Sequence, residues 1–504
     1  MTQRAAARAP SDLVHEPIPL ETIQSDTARH FAVSAAAKAA MQILQLATLV
    51  ALARLLAPSD FGVLAMVMSA IGVAELLRDL GLSHATVRAE QLTHGQLNTL
   101  FWINATLGAV LWLACIAVAP ALASLLSDAR VAPVTAVVGM NFLLNGLAAQ
   151  HLALLRRRLR FAVIARINLS AVLLGSLTAL ALAALGAAYW ALVAAALVGS
   201  AANALGAWRC SGWRPGAPAW DPAARPLLSF GGYLVGFGLL TYAAQHAHIV
   251  LIGRFFGAAA AGLYVRASTL LTQPMGYALE PLRLILPATL SRLQADPDGF
   301  RRNYLGALGP LLLGAAPFGA WLVVAADDVV HLLLGAQWTG TARVLAWLAL
   351  SAVPQAINIT SGWLYLARGD ARAMMRWGVV GWTVVIGLML SGLYWGIDGV
   401  AAMYSLSMFL IAVPCMHYAC RGTQITLGDI WAQTWRPMAG AALAALPLAV
   451  VAHLARDWHT LPRLAAGSAV FAMTYLALMI GVFGERDRIV GLYTLLRRKL
   501  GSAR

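Results

Sequence analysis

The sequence predicts an all-α polytopic membrane protein, and its composition, its hydropathy and the placement of its arginines lead to this prediction. Among its 504 residues 60% are hydrophobic and 11% are charged, and the mean hydropathy is +0.73. Soluble globular domains carry about 25% charged residues, so the composition excludes them. Apolar runs of about 20 residues, the length that crosses a bilayer, follow one another along most of the chain.

Charged residues, Pro/Gly clusters and tight turns divide these runs into about 14 predicted transmembrane helices. No apolar segment with a cleavage site precedes the first helix, so we expect no signal peptide and a retained first span. The predicted spans are 31–53, 60–79, 99–124, 131–154, 163–185, 188–208, 227–252, 259–283, 303–326, 342–366, 374–396, 398–419, 437–455 and 463–484.

The distribution of Lys and Arg predicts the orientation of these helices. With a cytoplasmic N-terminus, 28 of the 36 basic residues fall in predicted cytoplasmic segments and seven in extracytoplasmic ones. Basic residues concentrate on the cytoplasmic side of membrane proteins, and one missed helix would scramble this asymmetry. We therefore predict that both termini are cytoplasmic. The net charge of +15 is then mainly an orientation signal and gives no support to nucleic-acid binding.

A short repeat displaced by six spans predicts two related lobes. ARLLAPSDFGVL at 53–64 and GRFFGAAAAGLY at 253–264 each join two helices through a tight turn, with the same spacing from Arg to Gly. Transporters are commonly built from such repeats. We predict a cytoplasmic N-terminal segment 1–30, an N-lobe 31–208, a cytoplasmic linker 209–226, a C-lobe 227–419, two further helices within 437–484 and a basic cytoplasmic tail 485–504.

Several motifs resemble the Wzx-type polysaccharide flippases of the multidrug/oligosaccharidyl-lipid/polysaccharide exporter superfamily. The similar strings lie, in order, at 53–62, 79–83, 97–104, 156–161, 252–267, 286–304 and 332–338. The resemblance covers roughly residues 30–440. It implies two six-helix lobes around a central cavity, with two additional C-terminal helices behind them.

The same resemblance implies a function and a set of partners. The implied activity is translocation of an undecaprenyl-diphosphate-linked oligosaccharide from the cytoplasmic to the periplasmic leaflet of the bacterial inner membrane. The implied partners are this glycan lipid, the bilayer and the polysaccharide polymerase machinery. One departure concerns His248, because many relatives carry an Asp at this position, six residues before the Arg of IGR. A coupling role that this Asp has in relatives therefore does not transfer directly to His248 in this chain.

Two basic residues inside predicted spans are the candidate ligands of the diphosphate. Lys38 lies within the first span, and Arg266 lies about two turns into the eighth. A cation is costly in hydrocarbon but useful in a water-filled cavity that receives an anion. We predict that this pair binds the diphosphate. The alternative is that each side chain extends along its helix toward the lipid headgroups.

Two acid–base pairs recur near the cytoplasmic ends of the second and eighth spans. Glu75 with Arg78 and Glu280 with Arg283 are spaced to meet on one helical face. Their functional interpretation is an inner gate made of exchangeable ion pairs, or a proton site at Glu75. The structural interpretation is that each Glu simply neutralises its own Arg at the membrane boundary.

Polar residues within the spans are candidates for lining a sugar-accepting cavity. Hydrogen bonds between helices are the alternative role for each of them. These candidates are Gln42, Gln45, Asn141, Asn145, Gln245 and His248.

The sequence predicts a transporter without a cofactor, a metal site or an enzymatic activity. It lacks a Gly-rich nucleotide loop, a metal-ligand motif and a nucleophile elbow, and every loop is short. Two alternative functions would each need a further feature. A drug or cation antiporter of the same superfamily needs an intramembrane carboxylate, which the first span lacks. A polymerase or ligase for lipid-linked sugars needs a large extracytoplasmic loop with convergent acidic or His residues.

Overall fold

The fold is known from a computed structural model that describes residues 20–79, 82–89, 92–224 and 232–491. The regular structure of these residues is helical. The main helices are α1 (Leu20–Leu55), α2 (Pro58–Ile71), α3 (Val73–Asp79), α4 (Leu82–Arg88), α5 (His94–Leu126), α6 (Val131–Val138), α7 (Met140–Arg157), α8 (Phe161–Ala184), α9 (Tyr189–Ser211), α10 (Gly232–Arg292), α11 (Pro297–Leu333), α12 (Thr339–Ala349), α13 (Ala352–Arg368), α14 (Ala371–Gly392), α15 (Gly396–Cys420), α16 (Leu427–Leu454) and α17 (Thr460–Ala477).

Many of these helices are long and apolar enough to cross a membrane. Within the described residues ten satisfy this condition, or eleven if α12 and α13, bent by 56°, form one span together with the turn before them. The all-α membrane fold is therefore confirmed, whereas the number of fourteen spans stays a prediction. The stretch 372–420 counts once although it contains two helices, and α2 alone is too short to count.

The chain divides into two compact units, Met1–His246 and Ala247–Arg504. In the first unit α8 packs against α9 and α1, and α7 packs against α5 and α9. In the second unit α11 packs against α12, α16 and α17, and α15 packs against α12, α13 and α14. Each unit has its own core, while the domain boundaries proposed from the sequence remain predictions.

The crossing of α5 and α7 depends on two glycines. A Cβ atom at Gly108 would lie 2.5 Å from the carbonyl oxygen of Phe142, and a Cβ atom at Gly146 would lie 2.6 Å from that of Asn104. Real Cβ atoms do not approach backbone oxygens so closely. Small residues let membrane helices approach each other closely, so these glycines set the separation of α5 and α7.

The break between the two halves of α10 lies at the turn that the repeat predicts. Gly257 has φ 81° and ψ 176°, inside a helix that otherwise runs from Gly232 to Arg292. The corresponding position of the first copy is Ala57, which is extended with φ −71° and ψ 153° and lies between α1 and α2. Both copies therefore interrupt the helix at the same position of the repeated string.

Two ion pairs fasten opposite ends of α11 within the second unit. Near its start, Arg301 Nε donates to Asp429 Oδ2 at 3.0 Å, which links α11 to the beginning of α16. Near its end, Arg463 Nε donates to Asp328 Oδ1 at 2.9 Å, which links α11 to α17. Since Asp328 is buried, loss of its partner would leave an uncompensated charge.

The predicted cytoplasmic linker is fixed to α5 over much of its length. Asn98 Nδ2 donates to the Ala217 carbonyl at 2.8 Å, and Asn98 Oδ1 accepts from the Gly216 amide at 3.0 Å. Thr99 Oγ1 donates to the Ala219 carbonyl at 3.1 Å and accepts from the Asp221 amide at 2.9 Å. The linker therefore belongs structurally to the first unit through residue 221. Residues 225–226 of the predicted linker lie outside the described residues.

The turn between α5 and α6 is stabilised by a local ion pair. Arg130 Nη2 lies 2.8 Å from Asp128 Oδ2, and the Arg130 amide also donates to Asp128 Oδ1 at 2.9 Å. The hydrogen bond from the guanidinium lowers the pKa of the Asp128 carboxyl below its usual value. Asp128 therefore stays ionised, and the turn stays closed, across the neutral pH range.

Parts of the predicted terminal segments lie outside the described residues. These are 1–19 of the predicted N-terminal segment 1–30 and 492–504 of the predicted tail 485–504. Helix α1 begins at Leu20, well before the predicted start of the first span at 31. At the other end Glu485 is buried and pairs with Arg436 at 2.9 Å and with Arg488 at 3.1 Å. The beginning of the tail is thereby fixed to α16.

A polar cavity in the first unit

A cavity of about 840 Å³ lies within the first unit and is the candidate functional site. Five parts of the unit supply its walls: α1, the region of α2 and α3, the region of α6 and α7, α8, and α9. Small residues on α8 and α9, among them Gly175 and Gly199, leave room for it. Ligand sites in proteins are typically concavities of this size that carry a few polar groups.

The polar groups of the cavity are mainly carboxamides. Asn203 Nδ2 donates to Asn168 Oδ1 at 2.8 Å, which joins α9 to α8. Asn141 Nδ2 donates to the Val138 carbonyl at 3.0 Å, while its Oδ1 is buried and has no hydrogen-bond partner within the described residues. The lining carboxamides are Gln45, Asn141, Asn145, Asn168 and Asn203, and the lining hydroxyls are Thr48, Ser176 and Ser200.

One ionisable side chain, Glu75, belongs to the described lining of the cavity. Arg78 Nη2 lies 2.7 Å from Glu75 Oε1, so the predicted first ion pair is formed. The Glu75 side chain is 44% exposed and that of Arg78 is 18% exposed. The pair therefore lies at an accessible edge of the cavity, where water screens it.

The structure places the other predicted residues at different positions. Lys38 is exposed on α1 and is not part of the lining, although it precedes lining residue Met41 by about one turn. Arg266 belongs to the second unit, in the part of α10 that follows Gly257, and its Nε is buried. Their predicted joint role as diphosphate ligands is not tested by these positions.

The second predicted ion pair has a different environment. Arg283 is exposed on α10, and Glu280 is partly buried on the same helix. The gate role of this pair stays a prediction.

Three of the six predicted cavity residues line the cavity, and three do not. Gln45, Asn141 and Asn145 are part of the lining. Gln42 and Gln245 belong to the first unit without appearing in the lining, and Gln245 is exposed. His248 belongs to the second unit, where its ring centroid lies 5.0 Å from that of Tyr264.

Sequence reasoning missed Thr48, Asn168, Ser176, Ser200 and Asn203. A signal for them exists in the sequence. Asn168 shares a helical face with Ala171, Gly175 and Ala179, and Asn203 shares one with Ala196 and Gly199. An isolated carboxamide on a stripe of small residues marks a helix face that packs closely yet carries a polar group.

This chain is similar to a family model, to several named relatives and to solved structures. A family model described as "Polysaccharide biosynthesis protein" matches residues 51–343. The lipopolysaccharide biosynthesis protein WzxC of Escherichia coli (strain K12) is 25% identical over 67% of this chain and 69% of its own. The succinoglycan biosynthesis transport protein ExoT of Rhizobium meliloti (strain 1021) is 24% identical over 92% of both chains.

A further relative and two solved structures extend the comparison. The teichuronic acid biosynthesis protein TuaB of Bacillus subtilis (strain 168) is 23% identical over 82% of this chain and 86% of its own. The lipid II flippase MurJ, in an inward closed conformation, covers 90% of this chain and 99% of its own with a TM-score of 0.70 and 14% identity. An inward-facing multidrug resistance MATE family transporter covers 75% and 93% with a TM-score of 0.58. At 14% identity these two structures establish similarity of fold.

Proposed function

This chain belongs to the polysaccharide biosynthesis protein family, and we propose that it moves a lipid-linked oligosaccharide across a membrane by alternating access. The names of three relatives concern lipopolysaccharide, succinoglycan and teichuronic acid, which are different glycans. A polysaccharide precursor is therefore the substrate class that the relatives share. The fold similarity to a lipid II flippase supports movement of a lipid-linked sugar.

The proposed substrate is an undecaprenyl-diphosphate-linked repeat unit, and the proposed membrane is the bacterial inner membrane. Both termini lie in the cytoplasm in this proposal, as the distribution of basic residues predicts. The repeat unit enters from the cytoplasmic leaflet, and the reversed conformation releases it to the periplasmic leaflet. A polysaccharide polymerase then uses it. No catalytic residue and no cofactor are assigned.

A polar cavity lined by α1 is the observation that carries the proposal. Met41, Gln45 and Thr48 face the cavity from α1 at helical spacing. Lys38 continues this face, because seven residues, or about two helical turns, separate it from Gln45. A diphosphate at Lys38 would thus lie about 10 Å along the helix from carboxamides that can hold a sugar.

Arg266 and the Glu75–Arg78 pair complete the proposed machinery. Arg266 belongs to the second unit and is proposed as a second diphosphate ligand. The 2.7 Å ion pair between Glu75 and Arg78 borders the cavity and is proposed as part of an inner gate. Exchange of this pair for other partners would accompany closure of the cytoplasmic entrance.

A drug or cation antiporter would need a different set of residues. The part of α1 from Ala36 to Leu55 contains no Asp or Glu, although it contains Lys38, Gln42 and Gln45. An intramembrane carboxylate is the usual site of ion coupling in such transporters. The family match and this composition both favour glycan export over drug export.

A deletion strain of the source bacterium tests the proposal. We expect accumulation of lipid-linked repeat units that face the cytoplasm, measured as protection from a membrane-impermeant glycosidase in spheroplasts. Complementation with Lys38→Ala or Arg266→Ala should restore less than about a tenth of the export, because each ion contact to a phosphate contributes about 1.5–3 kcal/mol. Lys38→Arg should retain most of it.

The matched control is Arg292→Ala, which removes an exposed cation at the end of α10. It should export normally at equal protein level. Normal surface polysaccharide in the deletion strain, without any accumulated precursor, would contradict the proposal as a whole. Full export by both Ala variants would contradict only the assignment of the diphosphate ligands.

A further inference from the structure

The charge of the cavity in the first unit restricts the chemistry of its ligand. No Lys, Arg or His belongs to the described lining, and the one ionisable lining residue is Glu75. The cation nearest to Glu75, Arg78, is already paired with it at 2.7 Å, so the described lining offers a diphosphate or a uronic acid no unpaired cation. Since an uncompensated charge in a partly desolvated site is costly, the cavity excludes anionic groups.

The carboxamides of the cavity indicate a polar ligand that both donates and accepts hydrogen bonds. Asn203 Nδ2 and Asn168 Oδ1 bond to each other. Asn203 Oδ1 and Asn168 Nδ2 make no further hydrogen bond within the described residues. The buried Oδ1 of Asn141 likewise lacks a donor there. Each carboxamide has two donor and two acceptor positions, which match hydroxyl and acetamido groups.

A lipid tail is a poorer match for this cavity than a sugar. Hydrocarbon would offer no partner to Asn141 Oδ1, Asn203 Oδ1 or Asn168 Nδ2, and a buried unsatisfied polar atom costs free energy. The remaining wall is formed largely by small and aliphatic residues of α8 and α9, such as Ala171, Gly175 and Gly199. Such a wall suits the apolar face of a sugar ring, and the volume of about 840 Å³ accommodates more than one ring.

We infer that this cavity is a glycan subsite that accepts an uncharged sugar unit, hexose or N-acetylhexosamine, and rejects an acidic one. The inference rests on the proposed function, because it assigns the sugar part of the same lipid-linked substrate. The carboxamides of Asn141, Asn168 and Asn203 hold the sugar, and an acidic sugar finds no unpaired cation in the lining because Arg78 is engaged by Glu75. The diphosphate remains outside this cavity, on the side of Lys38.

The test uses the purified full chain in detergent and four soluble short-prenyl diphosphate probes. One probe carries no sugar, and the others carry a hexose, an N-acetylhexosamine or a hexuronic acid. We expect the two neutral sugars to bind at least fivefold more tightly than the sugar-free probe, because a net hydrogen bond changes affinity by about that factor. The hexuronic acid should gain nothing over the sugar-free probe.

Variants of the cavity residues test whether the tighter binding of neutral-sugar probes arises in this cavity. The double variant Asn141→Ala with Asn203→Ala should remove the gain from neutral sugars and leave the sugar-free probe bound as before. Glu75→Gln should narrow the difference between hexose and hexuronic acid. Asn303→Ala is the matched control, because Asn303 is an exposed carboxamide of α11, outside this cavity. Thermal unfolding in detergent verifies that each variant is folded.

The possible failures are distinguishable. Equal affinity for the sugar-free and the neutral-sugar probes would overturn the subsite while leaving diphosphate recognition intact. Equal gain from hexose and hexuronic acid would overturn the exclusion of acidic sugars. A long-chain alcohol that abolishes the gain from neutral sugars without displacing the sugar-free probe would assign the cavity to the lipid tail instead. Absence of binding by all four probes would count against the proposed function itself.

Discussion

At the scale of single residues, arginines that the sequence explains by topology also make specific contacts in the structure. Arg157 donates to the Thr86 carbonyl at 3.0 Å and also to that of Ala89, near the end of α4. Arg158 donates to the carbonyl of Ser211, the last residue of α9. Basic side chains at helix C-termini satisfy carbonyls that lack helical partners. The same block of arginines therefore contributes to the orientation of the chain and caps the ends of helices.

The glycine at the crossing of α5 and α7 gives a prediction at this scale. We expect Gly108→Ala to destabilise the protein by about 1–3 kcal/mol, because the new Cβ would force the two helices apart. The measurement is the thermal unfolding temperature of detergent-solubilised protein, followed by fluorescence-detected size exclusion. Gly306→Ala is the control, since a Cβ there would meet nothing within 4 Å. Equal melting temperatures for both variants would show that the crossing tolerates separation.

At the scale of elements, the starts of helices explain most of the difference between predicted and observed spans. The thirteenth span was predicted from 437, whereas α16 begins at Leu427, ahead of the apolar run. The cause is a capping box, in which Thr426 Oγ1 accepts from the Asp429 amide at 3.1 Å. A similar box at Thr93 and Gln96 begins α5 before the predicted 99. Hydropathy identifies the part of a helix that lies in lipid, whereas capping motifs identify where the helix begins ahead of that part.

The fixed linker gives a prediction for an element. We expect the double variant Asn98→Ala with Thr99→Ala to accelerate chymotrypsin cleavage after the exposed Trp220 severalfold, because four hydrogen bonds to the linker backbone are lost. Cleavage by a protease requires local opening of the chain. The rate is measured by limited proteolysis and mass spectrometry.

Thr178→Val is the matched control for this experiment. Thr178 is partly exposed, and its hydroxyl donates to the Leu174 carbonyl within its own helix. An unchanged cleavage rate in the double variant would mean that the aromatic contacts of Trp213 hold the linker without these bonds. Trp213 Nε1 donates to His94 Nδ1 at 3.1 Å, and this side-chain contact remains in the double variant.

At the scale of the whole molecule, the fold class and the family were predictable, and half of the candidate cavity was not. The helical membrane fold follows from composition, and the Wzx-type resemblance is confirmed by the family match over residues 51–343. Asn168 and Asn203 were missed because their role depends on which faces of α8 and α9 meet. Helical periodicity alone does not select the facing partner. The roles of Lys38 and Arg266 stay predictions, since they depend on substrate.

The topology of the whole chain gives a third prediction. In a background with Cys210 replaced by Ser, Asp457→Cys should react with a membrane-impermeant maleimide in intact spheroplasts. Asp298→Cys should react only after permeabilisation, because the distribution of basic residues places it in the cytoplasm. Both positions are exposed, whereas Cys115, Cys415 and Cys420 are buried. Reaction of Asp298→Cys in intact spheroplasts would reverse the predicted orientation.

The attachment of the linker to α5 also determines where the chain tolerates a cut. Residues 216–221 contact α5 through their backbone, so a one-residue insertion immediately before 216 would displace every one of these bonds. A gene divided after 224 would leave this segment whole on the first polypeptide. Co-expression of the two fragments would then report whether they assemble without a covalent connection, whereas division at 212 would damage the first fragment itself.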